Sequence, residues 1–289
     1  MRDDFAVFIL SHGRPDNVKT FDTLKKQGYT GKLFFILDDE DETIPEYEER
    51  FGRDRIVVFN KALTAKTFDT GDLSEDRRTI AYARNACFDI AAMLGLRYFL
   101  QLDDDYSCFH HRYEDSGRLR SKVINDLDGL FSCMIDFLND SGALTVAFAQ
   151  GGDFMGGAKN DFFRNRVKRK AMNTFFCDVQ KPFQFPGRIN EDVNMYTLLG
   201  NQGHLILSVA DANINQQQTQ KSKGGMTDVY REGGTYMKSF YSVMFSPQCV
   251  KVADMGRSQR RLHHQIRWDN CTPLILSEQC KKSNRSLEQ

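Results

Sequence analysis

The chain has no pair of cysteines at the CxxC spacing of a zinc ribbon. Its seven Cys stand singly at 87, 108, 133, 177, 249, 271 and 280, an odd number. That pattern argues against a disulfide framework and predicts mostly buried, reduced thiols. It also has no long apolar run. FAVFIL at 5–10 is far too short for a secretory core or a membrane span, and no other stretch approaches the ~20 residues a span needs. A soluble, cytoplasmic protein is therefore expected. Net charge is absent as well, with 39 Lys and Arg against 39 Asp and Glu. A protein that coats nucleic acid by bulk attraction would not be neutral.

What is present is ordinary in amount and uneven in placement. The 289 residues are 40% hydrophobic and 27% charged, enough for a sizeable globular core. Residues 38–50 carry eight acids and one Arg, and residues 159–170 carry six bases and one Asp. A local basic face on a neutral protein can meet a phosphate backbone; a solvated loop is the other reading.

Apolar runs at 5–10, 32–37, 55–59 and 97–102 read as strands buried on both faces. Helical spacing runs from Asp16 to Gln27, where Gly28 stops it, and from Glu75 to Leu94, where Gly95 stops it. Alternation of strands and helices predicts an α/β fold with a mostly parallel central sheet and flanking helices. Ligands of such sheets bind beyond the carboxyl ends of the strands. Segments 11–15, 38–41, 60–68 and 103–106 would converge there. The second half is less regular. A helix over 121–138, a strand over 143–149 and a polar loop over 213–225 are expected. One domain is predicted, divided into residues 1–110, an irregular half 111–280 and a disordered tail 281–289.

Asp103-Asp104-Asp105 follows the fourth strand. Three adjacent carboxylates repel unless a positive charge neutralises them. A hard divalent cation does so while bridging diphosphate oxygens. Alternation along an extended chain would turn Asp103 and Asp105 to the ion and Asp104 toward a ribose or backbone group. His12, Arg14 and Asp38 would lie at the same edge, with Arg78, Arg84 and Asn85 on the preceding helix. An Arg fork suits diphosphate, and Asn offers donor and acceptor to a base. Arg84 paired with the acids of 38–42 is the structural alternative.

FILSHGRPDNVKT at 8–20, ILDDEDET at 36–43, RRTIAYARNACFDIA at 77–91, YFLQLDDDY at 98–106, NEDVNMY at 190–196 and RLHHQIRWDNCTP at 261–273 together resemble glycosyltransferases of the GT-A, Rossmann-related fold. More narrowly, the chain resembles the TET-associated glycosyltransferases of tailed phages, which are thought to add sugars to 5-hydroxymethylpyrimidines in DNA. The resemblance implies Mn²⁺ or Mg²⁺ held by Asp103 and Asp105, with His263 or His264 as a late ligand. It implies UDP-sugar contacts from Ser11, His12, Gly13, Arg14, Asp38, Arg84 and Asn85, and an acceptor-side base at Asp192 or Glu191. Read without it, Glu191-Asp192 is an acidic first turn complementing a helix dipole.

The implied partner is double-stranded DNA containing 5-hydroxymethylcytosine in an infected bacterial cell, glucosylated or arabinosylated after base flipping. Phe154, Phe162, Phe163, Tyr230, Tyr236 and Trp268 are candidate stacking groups, Phe162-Phe163 foremost because it interrupts the basic run. Gln150-Gly151-Gly152-Asp153 could shape the acceptor site. A glycosyltransferase for a glycan, lipid or protein is the first alternative, and a non-catalytic nucleotide- or DNA-binding protein the second. A nucleotidyltransferase would want a glycine-rich phosphate loop, and SHGRP has one Gly.

Overall fold

In β1 (Phe5–Leu10) every residue is buried, and the strand feeds both sides of a sheet. Phe5, Val7 and Ile9 enter one core, while Ala6, Phe8 and Leu10 enter the other. That period of two is what a strand covered by helices on both faces requires. The computed structural model describes residues 1–216, 229, 234, 236–255, 261–272 and 275–281.

The elements that carry the site follow in chain order. They are α1 (Lys19–Lys26), β2 (Lys32–Asp38), α2 (Ile44–Phe51), β3 (Ile56–Phe59), α3 (Lys61–Thr64), α4 (Ala81–Met93) and β4 (Tyr98–Asp103). A hairpin of β5 (Tyr106–Asp115) and β6 (Arg118–Val123) precedes α5 (Leu127–Ser141), β7 (Thr145–Gln150) and α6 (Asp161–Asn165). Then come β8 (Val167–Lys168), β9 (Phe175–Asp178), α7 (Glu191–Asn201) and β10 (Ile206–Gln216).

The fold is α/β, with a mixed central sheet between helices. Its order is β3-β2-β1-β4-β9-β7-β10-β5-β6, and β8 pairs with β10. The block β3-β2-β1-β4 is entirely parallel, so its carboxyl ends share one edge. β9 runs antiparallel between β4 and β7 and joins the two halves of the chain in one sheet. The division at residue 110 falls inside β5. Residues of α1, α2 and α5 pack in one core, and residues of α4 and α7 in the other. Gly28 ends α1 at φ +86°, where a Cβ would stand 2.5 Å from the Asn125 carbonyl oxygen. Only glycine fits that stop.

Several local expectations are corrected. The helix expected over 75–94 begins at Ala81, because the Asp76 carboxylate takes both the Arg78 backbone N–H and its guanidinium in a local turn. Residues 121–123 belong to β6, not to a helix. Ser116 and Gly117, both at positive φ, reverse the chain between alternating strands. The helix then starts at Leu127, capped by Asp126 accepting from the Gly129 N–H at 2.9 Å. The polar stretch from 213 begins as strand, since β10 continues to Gln216. Residues 217–225 and 282–289 lie outside the described residues.

A strand pair, β11 (Val250–Met255) with β12 (Arg261–Ile266), stands apart from the main sheet, and the helix Met237–Phe245 packs on it. The expectation of reduced thiols is also corrected. Cys249 and Cys271 form a disulfide, their Cα atoms 5.4 Å apart and both residues fully buried. The remaining five cysteines are free. Among the described residues no helix is long and apolar enough to cross a membrane.

Candidate active site

β4 ends in a tight turn that α1 clamps. The Thr20 hydroxyl donates to the Asp103 carbonyl at 2.6 Å and accepts from the Tyr106 N–H at 2.9 Å. The Thr20 N–H donates to the Asp104 carbonyl at 3.1 Å. With the backbone held, Asp103 and Asp105 are half-exposed and Asp104 is buried at 2% exposure. The Asp104 side chain is engaged inside the protein. Its Oδ2 accepts from Ser11 Oγ at 2.6 Å and lies 3.1 Å from Arg14 Nη2, with the Tyr47 hydroxyl 2.7 Å from the same Ser11 Oγ. Asp104 and Ser11 therefore brace the loop after β1 against the acid turn. Arg14 remains one-third exposed.

Asp105 is different. Its Oδ1 is buried and has no hydrogen-bond partner. Burial, then the negative charges of Asp103 and Asp104, push its carboxyl up to about 7. A buried acceptor without a donor costs about 1–3 kcal/mol, and a cation at this turn would relieve both the orphan oxygen and the repulsion. Asp103 and Asp105 thus fit one divalent cation. Magnesium in particular takes only one or two carboxylates and fills its shell with phosphate oxygens and water.

The second strand end holds a compact ionic group. Asp38 Oδ2 bonds His12 Nδ1 at 2.8 Å, and Asp38 Oδ1 accepts from Lys61 Nζ at 3.1 Å. Lys61 is only 4% exposed. Burial would raise the Asp38 carboxyl, but His12 and Lys61 outweigh it and hold it below its usual range. The hydrogen bond from Asp38 raises the His12 imidazole in turn. The Gly13 N–H donates to Asp41 Oδ2 at 2.8 Å, and nothing lies within 4 Å of where a Gly13 side chain would project. The space beside Gly13 is therefore open at the sheet edge. Sequence reasoning missed Lys61, Tyr47 and Thr20. A lone Lys in an amphipathic turn and a Tyr at helical spacing carry no signal until the strand ends converge.

The residues assigned to the helix before the acid turn do not behave as diphosphate or base contacts. Arg84 is 1% exposed and has both ends engaged. Nη2 donates to Asp103 Oδ1 at 2.8 Å, and Nε donates to Glu191 Oε1 at 3.0 Å. The acids of 38–42 are not its partners. Burial alone would lower its pKa, but Asp103 and Glu191 keep the guanidinium charged. Asn85 is spent on backbone, donating to the Ala81 and Phe185 carbonyls and accepting from the Phe185 N–H. Arg78 forks onto Asp76 away from the acid turn's hydrogen bonds.

Glu191 and Asp192 open α7 and are both buried. Burial, then the charge of Asp192, push the Glu191 carboxyl up to about 7, and burial raises Asp192 as well. Glu191 is bound by Arg84. Asp192 accepts from the Val193 N–H at 2.7 Å and feels the positive charge of Arg84 and, less, that of Lys170.

A model of one protein family, described as TET-Associated Glycosyltransferase, matches residues 5–225. The chain belongs to the TET-associated glycosyltransferase family. Transfer of a glycosyl group is the activity that family is named for. Among solved structures, the chain is similar to a glucosyl-3-phosphoglycerate synthase from Mycobacterium tuberculosis in complex with Mn²⁺ and UDP-glucose. That match has 9% identity and TM-score 0.49, and covers 91% of this chain and 86% of that one. It is also similar to the mannosyltransferase PcManGT from Pyrobaculum calidifontis in complex with GDP-mannose and Mn²⁺ (10% identity, TM-score 0.47, 85% and 74%). A third is S. aureus TarS 1-349 in complex with UDP (9% identity, TM-score 0.46, 83% and 64%). A comparison with curated proteins gives no match.

In this glycosyltransferase the second half is arranged less as the sequence suggests. Phe162 and Phe163 are buried with Phe154 in a satellite core, with Arg166 over the Phe163 ring at 4.4 Å and Arg112 over Phe154 at 4.8 Å. They are not free stacking platforms. Trp268 is half-buried, stacked on Tyr196 at 5.9 Å and covered by Lys168 Nζ at 5.0 Å. Tyr236 is half-exposed, and Tyr230 lies outside the described residues, as do Lys221, Lys223, Arg257 and Arg260. Asp153 pairs with Lys170 and caps the Gln150 N–H at 3.0 Å, so the Gln150–Asp153 segment is a braced turn.

His264 lies 3.4 Å from the Asn190 amide and is half-buried; burial, then His263, Lys238 and Lys170, push it down to about 3. Among the described residues no group of three or more His, Cys, Asp or Glu is arranged to hold a metal by itself. His263 and His264 are thus not brought into a metal set with Asp103 and Asp105.

Proposed function

We propose that the chain transfers a sugar from a UDP-sugar to the hydroxymethyl group of 5-hydroxymethylcytosine in double-stranded DNA. One observation carries the donor side: beside Asp103, the buried Oδ1 of Asp105 has no hydrogen-bond partner, at the carboxyl edge of four parallel strands. Asp103 and Asp105 would hold Mn²⁺ or Mg²⁺, which supplies positive charge for the leaving diphosphate. The open backbone at Gly13, with His12 and Asp38, offers a nucleoside its polar contacts, and Arg14 is the exposed guanidinium beside them.

On the acceptor side, Asp192 is the carboxylate left over by the Arg84–Glu191 pair. It takes the hydroxyl proton as that oxygen attacks the anomeric carbon. The DNA acceptor is supported by the family to which the chain belongs. The exposed Arg164 and Arg166 beside a neutral body also support it, since they suit phosphates without base contacts. Glucose and arabinose are the donor sugars of this reading. The test is mass spectrometry of nucleosides after incubation with Mn²⁺, a panel of UDP-sugars and 5-hydroxymethylcytosine duplex DNA. A pentose or hexose added to that nucleoside is expected. Mn²⁺-dependent UDP-sugar hydrolysis with no transfer would sink the DNA acceptor while keeping the donor site.

A further inference from the structure

Among the described residues, Arg84 is the largest fully buried side chain that carries a charge, and it sits between the two ends of the reaction. Its guanidinium lies 4.8 Å from the Phe175 ring centroid and 5.9 Å from that of Phe185. Asn85 pins the Phe185 backbone, and Gln101 Nε2 donates to the Arg84 carbonyl at 3.0 Å. Thus ring faces, side chain and backbone are all held. From that fixed fork one branch reaches Asp103, at the end of β4, and the other reaches Glu191, at the start of α7. Nη1 is buried with no partner.

A buried Arg between two carboxylates is weak evidence for stability, because desolvation offsets the attraction. Its better-attested use is to fix a register. The two carboxylates it joins are 88 positions apart (191 minus 103) and lie on different elements. Only a planar, bidentate donor can hold both at once; a Lys ammonium is a point charge that serves one or the other.

We propose that Arg84 is a positioning residue that couples the donor edge to the acceptor carboxylates, and does not itself contact the diphosphate. Occupation of Asp103 by positive charge weakens its hold on Arg84, and the guanidinium then binds Glu191 more tightly. That sets the start of α7, and with it Asp192. By linkage, an acceptor that orders Asp192 tightens donor binding by the same factor. The inference rests on the reading of Asp192 as the acceptor-side base.

The test measures UDP binding with Mn²⁺ by calorimetry, transfer to DNA, and transfer to water, for R84K, R84A, E191Q and D192N. R84K is expected to bind UDP within threefold of wild type while kcat for transfer falls at least 100-fold. Added methylguanidinium is expected to restore at least a tenth of the lost rate to R84A. E191Q, which removes the anionic end of the fork, should lose tenfold to 100-fold, and D192N more than 1000-fold. A tenfold or larger rise in the UDP Kd of R84K, with kcat kept, would make Arg84 a diphosphate contact and overturn the proposal. So would E191Q falling as far as D192N, or equal loss of binding and both rates without rescue. Wild-type transfer to water but not to DNA would sink the acceptor reading alone, and the Arg84 comparison is then read on hydrolysis. Wild type inactive in both assays would overturn both.

Discussion

The donor edge and the acceptor side differ in how they are built. Ser11, His12, Arg14, Asp38 and Asp103–Asp105 stand at the carboxyl ends of three adjacent parallel strands, β2, β1 and β4. Each is placed by the strand it ends, and its partners lie on neighbouring loops. In the second half, Asp153 and Lys170 come from the segments flanking α6, Asp192 from α7 and His264 from β12. No single strand edge aligns them: Asp153 is held by Lys170, Asp192 by the Val193 N–H, and His264 lies against Asn190.

Substitutions probe that contrast in descending order of effect. Asp192→Asn should remove more than 1000-fold of transfer, read by product mass, and leave UDP binding unchanged within threefold. Asp105→Ala is the reverse case. It should weaken Mn²⁺-dependent UDP binding at least 100-fold by calorimetry and abolish turnover with it. Retention of metal-dependent binding would place the cation elsewhere.

Lys61→Met tests the donor edge from within. It leaves a buried Asp38 short of one cation, so a loss of about 3–5 kcal/mol in unfolding free energy is expected, measured by denaturant melts. His12→Gln removes a half-exposed partner of the same carboxylate and should cost far less.

The His12–Asp38 pair also sets a pH dependence. The imidazole of His12 is raised above its ordinary value near 6.5 by the hydrogen bond to Asp38, against the opposing effect of burial. The folded state therefore holds that proton more tightly than the unfolded chain. The corresponding stabilisation is complete below the unfolded pKa and is lost as pH rises through the raised folded value. Asp38 is lowered, so its contribution is present above the ordinary Asp value and lost as pH falls through the folded one. An NMR titration should find His12 above 6.5 in the wild type and shifted down in Asp38→Asn.

The smallest effect is expected on the basic segment. Replacing Arg164 and Arg166 with Ala should lower DNA affinity severalfold and reduce the salt slope by about 0.9 for each phosphate that is no longer neutralised. An unchanged slope would remove these residues from the DNA path.

Elements with a clean period, and the chemistry attached to their ends, were legible in the chain itself. FAVFIL, KLFFIL and RYFLQL are buried on both faces because each is continuously apolar or nearly so. The acids and loops that follow them must then fall on one edge, since parallel strands end together. The burial of Asp104 beside half-buried Asp103 and Asp105 belongs to the turn after β4, not to alternation along a strand.

Which polar groups face the ligand and which face each other was settled by packing alone. Asp104, Arg84 and Asn85 have the composition of ligand contacts and are spent inside the protein. Phe162 and Phe163 have the composition of stacking platforms and are core. The 106–123 hairpin went unread, apart from its last three residues taken into a helix, because Ser116-Gly117 is a weak signal without its partner strands. One cause underlies all of these. Periodicity is a local property of the chain, whereas the partner of a buried charge or ring is chosen across a hundred residues, as Arg84 and Glu191 are.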